Sequence, residues 1–302
     1  MIEYGLCLAW NWEYDADFVG LLESACLARG LSFLEVNPDN LATTTEKIKS
    51  GELAFSAFLD RASESDARFL PLVYWASERG LFRINPHERA VHAMNKASMH
   101  LEFITAGIQT PYTIILPPYD EQPGLPPLDL SPLGGRFTIK PAHGGGGGGV
   151  IVEATSLKQV LQARLEFPYD HYLLQAHIVP AQLASRPAWF RIISCGGLIF
   201  PFWWNTSTHV YVPVAEEDVR THGLESLWST TRAIGEISRL HIFSTEVALT
   251  EEKLLVAVDY VNDPIDLRPQ SKTPDGVPDE VVRRIAVRLA DLALEHRPLP
   301  FS

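Results

Sequence analysis

Along the N-terminal part of the chain, short unbroken apolar runs alternate with longer stretches in which apolar residues recur at helical spacing. Residues 4–10, 31–36 and 53–59 are runs of the first kind and predict strands, whereas 15–29, 43–50 and 65–79 predict helices. In 15–29, Phe18, Leu22, Ala25, Cys26 and Arg29 fall on one face. Asp15 and Asp17 lie where negative charge favours a helix N-terminus, and Gly30 stands where a left-handed C-terminal residue belongs. Strands separated by helices predict a parallel sheet.

From Pro86 the pattern changes. Residues up to 94 and then 96–106 read as helices, Gly107 stops the second, and 111–116 is extended. The proline-rich stretch 117–132 can hold neither a helix nor a central strand and predicts an exposed loop. Beyond it come strands at 136–140, 150–153 and 172–177, with a helix at 156–166 that Ser156 can cap. This is the pattern of a small α+β lobe. The last third carries strands at 189–194, 198–203, 244–249 and 254–261 and helices at 224–240 and 278–296. Val281, Ile285, Leu289 and Leu292 form the apolar stripe of the final helix. The units expected are thus 1–110, 111–180 and 181–302.

Composition narrows the function class. A chain of 302 residues with 46% hydrophobic and 21% charged residues can bury a large core in two or three compact units. Its formal net charge is -12, with no basic run, which argues against a nucleic-acid or anionic-membrane partner. Cys7, Cys26 and Cys195 are far apart and form no CxxC pair, so neither a disulfide framework nor a zinc site is indicated. No apolar stretch reaches the roughly 18 to 20 residues of a membrane span, and no leader-like segment precedes the first strand, so a cytoplasmic location is expected.

The six consecutive glycines Gly144, Gly145, Gly146, Gly147, Gly148 and Gly149 change the picture most. On composition they suit a flexible linker, but Phe137-Thr138-Ile139-Lys140-Pro141 ends a strand just before them and Val150-Ile151-Val152 begins one just after. They therefore form a hairpin loop inside one lobe. Backbone free of side chains lets N–H groups approach phosphate oxygens, and Lys140 can bring a point charge to the same anion. A Walker loop and a dinucleotide fingerprint both require a helix straight after the glycines, and none follows.

A strand-loop-strand glycine flap preceded by Ile-Lys-Pro resembles the nucleotide lid of the ATP-grasp superfamily. The string Ala106-Gly107-Ile108-Gln109-Thr110-Pro111-Tyr112-Thr113 resembles the ribosomal-protein-S6 glutamate ligase group of carboxylate-amine ligases. That resemblance implies an N-terminal parallel-sheet domain, a small lid lobe and a C-terminal α+β lobe. It places a second phosphate-contacting lysine at Lys96 and an adenine-gripping hinge at Leu173-Leu174-Gln175-Ala176-His177-Ile178, with Gln175 and His177 at the nucleotide. It also implies an arginine near the transferred phosphate, for which Arg191 in Trp189-Phe190-Arg191-Ile192-Ile193 is the candidate.

Phosphoryl transfer from ATP requires one or two Mg ions held by oxygen ligands. By the same resemblance these ligands are Glu246, Asp259 and Asn262. The usual acid-x-Asn spacing is not kept, because Asp259 and Asn262 are three apart and would point to opposite faces of a regular strand. Either a bulge or the strand end brings them together, or Asp263 or Asp266 takes part of the role. The implied activity is an ATP- and Mg-dependent ligase joining a small-molecule or peptide carboxylate to an amine through an acylphosphate, with homo-oligomers compatible with it. The rival readings are a kinase acting on a small-molecule hydroxyl and a nucleotide-binding regulator without turnover. Trp10, Trp12, Trp203 and Trp204 either line an acceptor pocket or pack in the core.

Overall fold

The computed structural model describes residues 2–144 and 147–297. In the first unit, strands β1 (Ile2–Trp10), β2 (Phe33–Val36), β3 (Leu53–Arg61) and β4 (Phe82–Ile84) form a parallel sheet in the order β2-β1-β3-β4. Helices α1 (Ala16–Leu27), α2 (Leu41–Lys49) and α3 (Leu70–Glu78) connect them. The central strands β1 and β3 are buried on both faces, which explains their unbroken apolar runs.

Two charged residues behave differently from the sequence expectation. Asp15 does not cap α1 but is buried, accepting from Arg61 Nε and Nη2 at 2.9 and 2.7 Å, while Nη2 also donates to the Ile265 carbonyl at 2.9 Å. Arg29 lies beyond the helix and pairs with Asp291. The helix expected over 65–79 splits into a 3₁₀ turn at Ala67–Phe69 and α3, because Pro71 in the first turn of α3 cannot donate to a continuous ladder.

Helices α4 (His87–Met94) and α5 (Lys96–Thr105) lead into the lid, an antiparallel sheet of β5 (Thr113–Leu116), β6 (Phe137–Pro141), β7 (Ile151–Ala154) and β8 (Tyr172–Ala176) in the order β5-β8-β6-β7. Helix α6 (Leu157–Ala163) covers it, and Ser156 accepts from the Gln159 N–H at 3.4 Å. The proline-rich segment stays outside the sheet but is anchored. Arg164, fully buried, donates through Nη2 to the carbonyls of Pro117, Pro118 and Gln122 at 2.9, 3.2 and 2.8 Å.

A short hairpin, β9 (Gln182–Leu183) and β10 (Arg186–Pro187), precedes the C-terminal antiparallel sheet. The latter holds β11 (Trp189–Cys195), β12 (Leu198–Trp204), β13 (Tyr211–Pro213), β14 (Ile242–Leu249) and β15 (Leu255–Asn262) in the order β13-β12-β11-β14-β15. Helices α7 (Glu216–His222), α8 (Ser226–Ser238) and α9 (Asp279–Glu295) complete it. One face of this sheet shares a core with the first unit, joining Leu6, Leu8, Phe18, Ile193, Ile285 and Leu289. The other face packs on α4, α5 and α8 through Ala93, Met99, Phe103, Phe190, Ile234 and Phe243. The lid keeps its own core around Phe137, Ile139, Tyr172 and Leu174. Among the described residues, no helix is long and apolar enough to cross a membrane.

Candidate functional site

Lys140 is the penultimate residue of β6, with its side chain turned towards the C-terminal sheet and only 6% exposed. Its Nζ donates to the Val258 carbonyl at 3.0 Å and lies 5.4 Å from the centre of the Tyr260 ring. Burial pulls its pKa down to about 8 despite the opposing pull of Asp259. Lys96, the first residue of α5, donates from Nζ to the Gly144 carbonyl at 2.6 Å. Immediately before it, Asn95 caps the helix, its Oδ1 accepting from Ser98 N–H at 3.0 Å. That leaves Asn95 Nδ2 to donate to His143 Nε2 at 3.0 Å, so the proton of His143 sits on Nδ1, facing Asp170 Oδ1 at 2.9 Å. The His143 N–H also donates to Asp170 Oδ2, at 2.8 Å. The start of the glycine loop is thereby tied to α5 and to the loop before β8.

The loop closes an antiparallel pair in which Ile139 faces Ile151 and Phe137 faces Ala154. Gly144, Gly147 and Gly149 have φ of +111°, +79° and +69°, a region that side chains disfavour. At Gly149 a Cβ would also stand 2.5 Å from Phe167 Cε2. Gly145 and Gly146 lie outside the described residues.

Across the cleft, β14 and β15 pair with Ser244 opposite Asn262 and Glu246 opposite Asp259. Two residues of β14 thus span three of β15. The bulge this creates places Asp259 and Asn262 on one side of the sheet despite their odd spacing, and Asn262 Nδ2 donates to Asp259 Oδ2 at 2.9 Å. Glu246 accepts from Arg191 Nη1 at 3.0 Å and from Trp189 Nε1 at 3.1 Å. Trp189 and Arg191 alternate on β11, so both reach Glu246 from one face. Arg191 Nη2 also donates to Ser244 Oγ at 3.1 Å, its guanidinium lies 4.9 Å from the Trp204 ring centre, and its buried Nε has no partner among the described residues.

The two carboxylates are shifted in opposite directions. Burial, reinforced by Asp259, holds Glu246 above the ordinary range even though Arg191 opposes it. Burial also pushes Asp259 up, but Lys140, Lys96, Asn262 and Arg191 together bring it below its ordinary value.

One cavity of about 610 Å³ is bounded by Lys96, Lys140, Gly144, Gly147 and Gly148 on the lid side and by Glu246, Asp259 and Asn262 on the sheet. His177 and Trp189 also line it. Other expected residues lie elsewhere. The Gln175 side chain is buried, donating to Tyr260 Oη at 2.6 Å and to Thr113 Oγ1 at 3.2 Å, because β8 runs between β5 and β6 and directs that residue inward. Gly149 packs beneath Phe167 rather than on the cavity wall. Arg191 stands behind Glu246, outside the cavity lining. Asp263 faces a separate small pocket with Arg61, Asn85 and His87, and Asp266 is paired with Arg268. Trp203 and Trp204 are largely buried, Trp10 donates to Glu35 at 2.9 Å, and Trp12 lies beneath Arg268.

Among the described residues, no group of three or more His, Cys, Asp or Glu gathers as a metal cluster. Two carboxylates and an amide oxygen are nevertheless a hard-cation donor set. Asn262 spends its N–H on Asp259 and keeps Oδ1 free, and a cation between Glu246 and Asp259 would relieve their mutual repulsion. The residues fit magnesium. No thiolate nucleophile competes for the chemistry, since burial pushes Cys195 up to about 12. Sequence reasoning missed Trp189 as a partner of Glu246 and Asp170 as the anchor of the loop, because both roles depend on cross-strand register and on loop packing.

No family model matches the sequence, and no curated protein matches it. Solved structures do. A RimK domain ATP-grasp protein from Sphaerobacter thermophilus superposes with a TM-score of 0.65 at 18% identity, covering 95% of this chain and 99% of the other. D-alanine–D-alanine ligase from Bacillus anthracis, complexed with ATP, gives 0.63 at 12% identity over 98% and 97% of the two chains. The macrocyclase MdnC from Microcystis aeruginosa, bound to its precursor peptide MdnA, gives 0.63 at 12% identity over 96% and 99%. With a parallel and two larger antiparallel sheets, a glycine flap and a bulged acidic strand pair arranged as described, the chain has the ATP-grasp fold.

Proposed function

We propose that the chain is an ATP- and Mg-dependent ligase that joins a carboxylate to an amine, with residues 1–110, 111–180 and 181–302 as N-terminal, lid and metal-bearing units. The observation that carries this reading is the single cavity between Lys96, Lys140 and the glycine loop on one side and Glu246, Asp259 and Asn262 on the other. Lys140 and Lys96 hold the phosphates electrostatically, and the loop N–H groups donate to their oxygens. Magnesium bound by Glu246, Asp259 and the amide oxygen of Asn262 supplies the charge that neutralises the triphosphate. Arg191 acts as a positioning residue, fixing the Glu246 carboxylate through its bond at 3.0 Å. A substrate carboxylate oxygen attacks the γ-phosphorus as ADP leaves, and the amine nitrogen then attacks the acyl carbon of the acylphosphate, forming the C–N bond as the C–O bond breaks, phosphate leaves and the nitrogen loses a proton.

The bulge in β15 favours turnover over a purely regulatory role, because it restores the shared face that the Asp259 to Asn262 spacing had put in question. The test is a screen of carboxylates, amines and small hydroxyl compounds with Mg-ATP, reading ADP, free phosphate and product mass. Amide product with one phosphate released per ADP supports ligation. Phosphate retained on a hydroxyl substrate refutes it in favour of a kinase.

A further inference from the structure

Next to the nucleotide cavity, and sharing His177, Trp189, Thr206 and Ser207 with it, lies a second cavity of about 710 Å³. It arises because β12 ends in Trp203 and Trp204 and the chain turns before returning as β13, standing off from the β9–β10 hairpin. Asn205 Oδ1 holds that turn, accepting from the N–H groups of Ser207 and Thr208 at 2.9 and 3.0 Å. Much of the wall is apolar, formed by Trp203, Trp204, Ile178, Pro187, Val210 and Val212.

Among the described residues lining it, Arg186 is the one permanently charged side chain. Its guanidinium lies 4.3 Å from the Trp203 ring centre and 3.8 Å from Asp218, beyond hydrogen-bond distance. Asp218 is already occupied, accepting from Trp203 Nε1 at 3.0 Å and from Ala215 N–H at 3.1 Å. The cavity size is that of a small-molecule site, and an apolar recess gains by exchanging water for an apolar group. Trp189 both lines it and donates to Glu246, so an occupant would lie beside the reacting end of the cleft.

We propose that this cavity selects the carboxylate substrate, taking acids with an aromatic or branched apolar group whose carboxylate reaches past Trp189 into the nucleotide cleft. The proposal rests on the ligase reading. Its test gives the enzyme Mg-ATP, hydroxylamine as the amine, and either 3-phenylpropionate and 4-methylpentanoate or acetate and succinate, and measures hydroxamate formation. The thermal shift with a non-hydrolysable Mg-ATP analogue is recorded in parallel.

The apolar acids should exceed acetate in kcat/KM by about 100-fold. Val210→Trp, which fills the cavity, should lower kcat/KM for 3-phenylpropionate by about tenfold or more while leaving the nucleotide shift intact. Val212→Trp, at a position 45% exposed, repeats the obstruction should the first variant fold poorly. Turnover confined to small or polar acids, no hydroxamate from any of the four acids while the nucleotide shift persists, or no effect of either tryptophan, overturns the proposal. Loss of the nucleotide shift in the wild-type protein overturns instead the ligase reading on which it stands.

Discussion

Replacing Lys140 with methionine should make the protein more stable and much less active, and the structure sets both magnitudes. The Lys140 pKa falls from 10.5 to about 8, mainly through burial, which corresponds to about 3 kcal/mol by which the folded state disfavours the ammonium. Methionine removes that penalty but leaves the Val258 carbonyl without the ammonium now 3.0 Å away, at a cost of about 1 to 3 kcal/mol. The net gain at pH 7 is about 0 to 2 kcal/mol, or up to a few degrees in Tm.

The pH dependence carries the sign. Between about 8 and 10.5 the unfolded chain binds more protons at this lysine than the folded one, so wild-type stability rises with pH through that window. The methionine variant lacks that rise, and its advantage shrinks towards pH 10.5. Turnover should fall by about 10² to 10³, because a preorganised charge at the phosphates is lost. Thermal melts from pH 7 to 10, paired with ADP formation, check both halves. A variant that melts below wild type at pH 7 with a parallel pH profile, or that turns over ATP within a few-fold of wild type, refutes the reasoning.

Other substitutions probe other joints. Asp15→Asn leaves Arg61 buried without its counter-charge and should cost about 3 to 5 kcal/mol in denaturant unfolding. Arg191→Met removes the bond that orients Glu246 and should weaken the apparent Mg affinity by about 10- to 100-fold, read from ADP formation against Mg concentration. Gly149→Ala meets Phe167 and a φ of +69°, whereas Gly147→Ala meets only an unfavourable φ of +79° in open space. The first should therefore raise the KM for ATP more than the second, by about tenfold against about threefold, reflecting strain of about 1 to 3 kcal/mol.

Long elements with a clear apolar pattern were legible in the sequence: β1, β3, α1, α9 and the strands β11, β12, β14 and β15 of the C-terminal sheet fall within a few residues of expectation. What escaped had no periodic signal. β4 is three residues long, β13 has an exposed valine at its centre, and α7 buries none of its residues, so no stripe marked it. The glycine flap and Lys140 stood out because their chemistry is local, a strand end beside side-chain-free backbone. The grouping of Asp259 with Asn262 was open in the sequence because a bulge is a property of two strands in register, and spacing along one strand cannot specify it. Gln175 illustrates the converse: its place on a strand was legible, but the direction of its side chain depends on Tyr260 and Thr113, distant in sequence.

The most direct test of the account is a crystal structure with Mg and a non-hydrolysable ATP analogue. Lys96 Nζ and Lys140 Nζ should lie within hydrogen-bond distance of phosphate oxygens, with the glycine loop closed over them and the metal on Glu246, Asp259 and the amide oxygen of Asn262. A nucleotide seated outside this cavity, or a metal held by Asp263 or Asp266 instead, would contradict it.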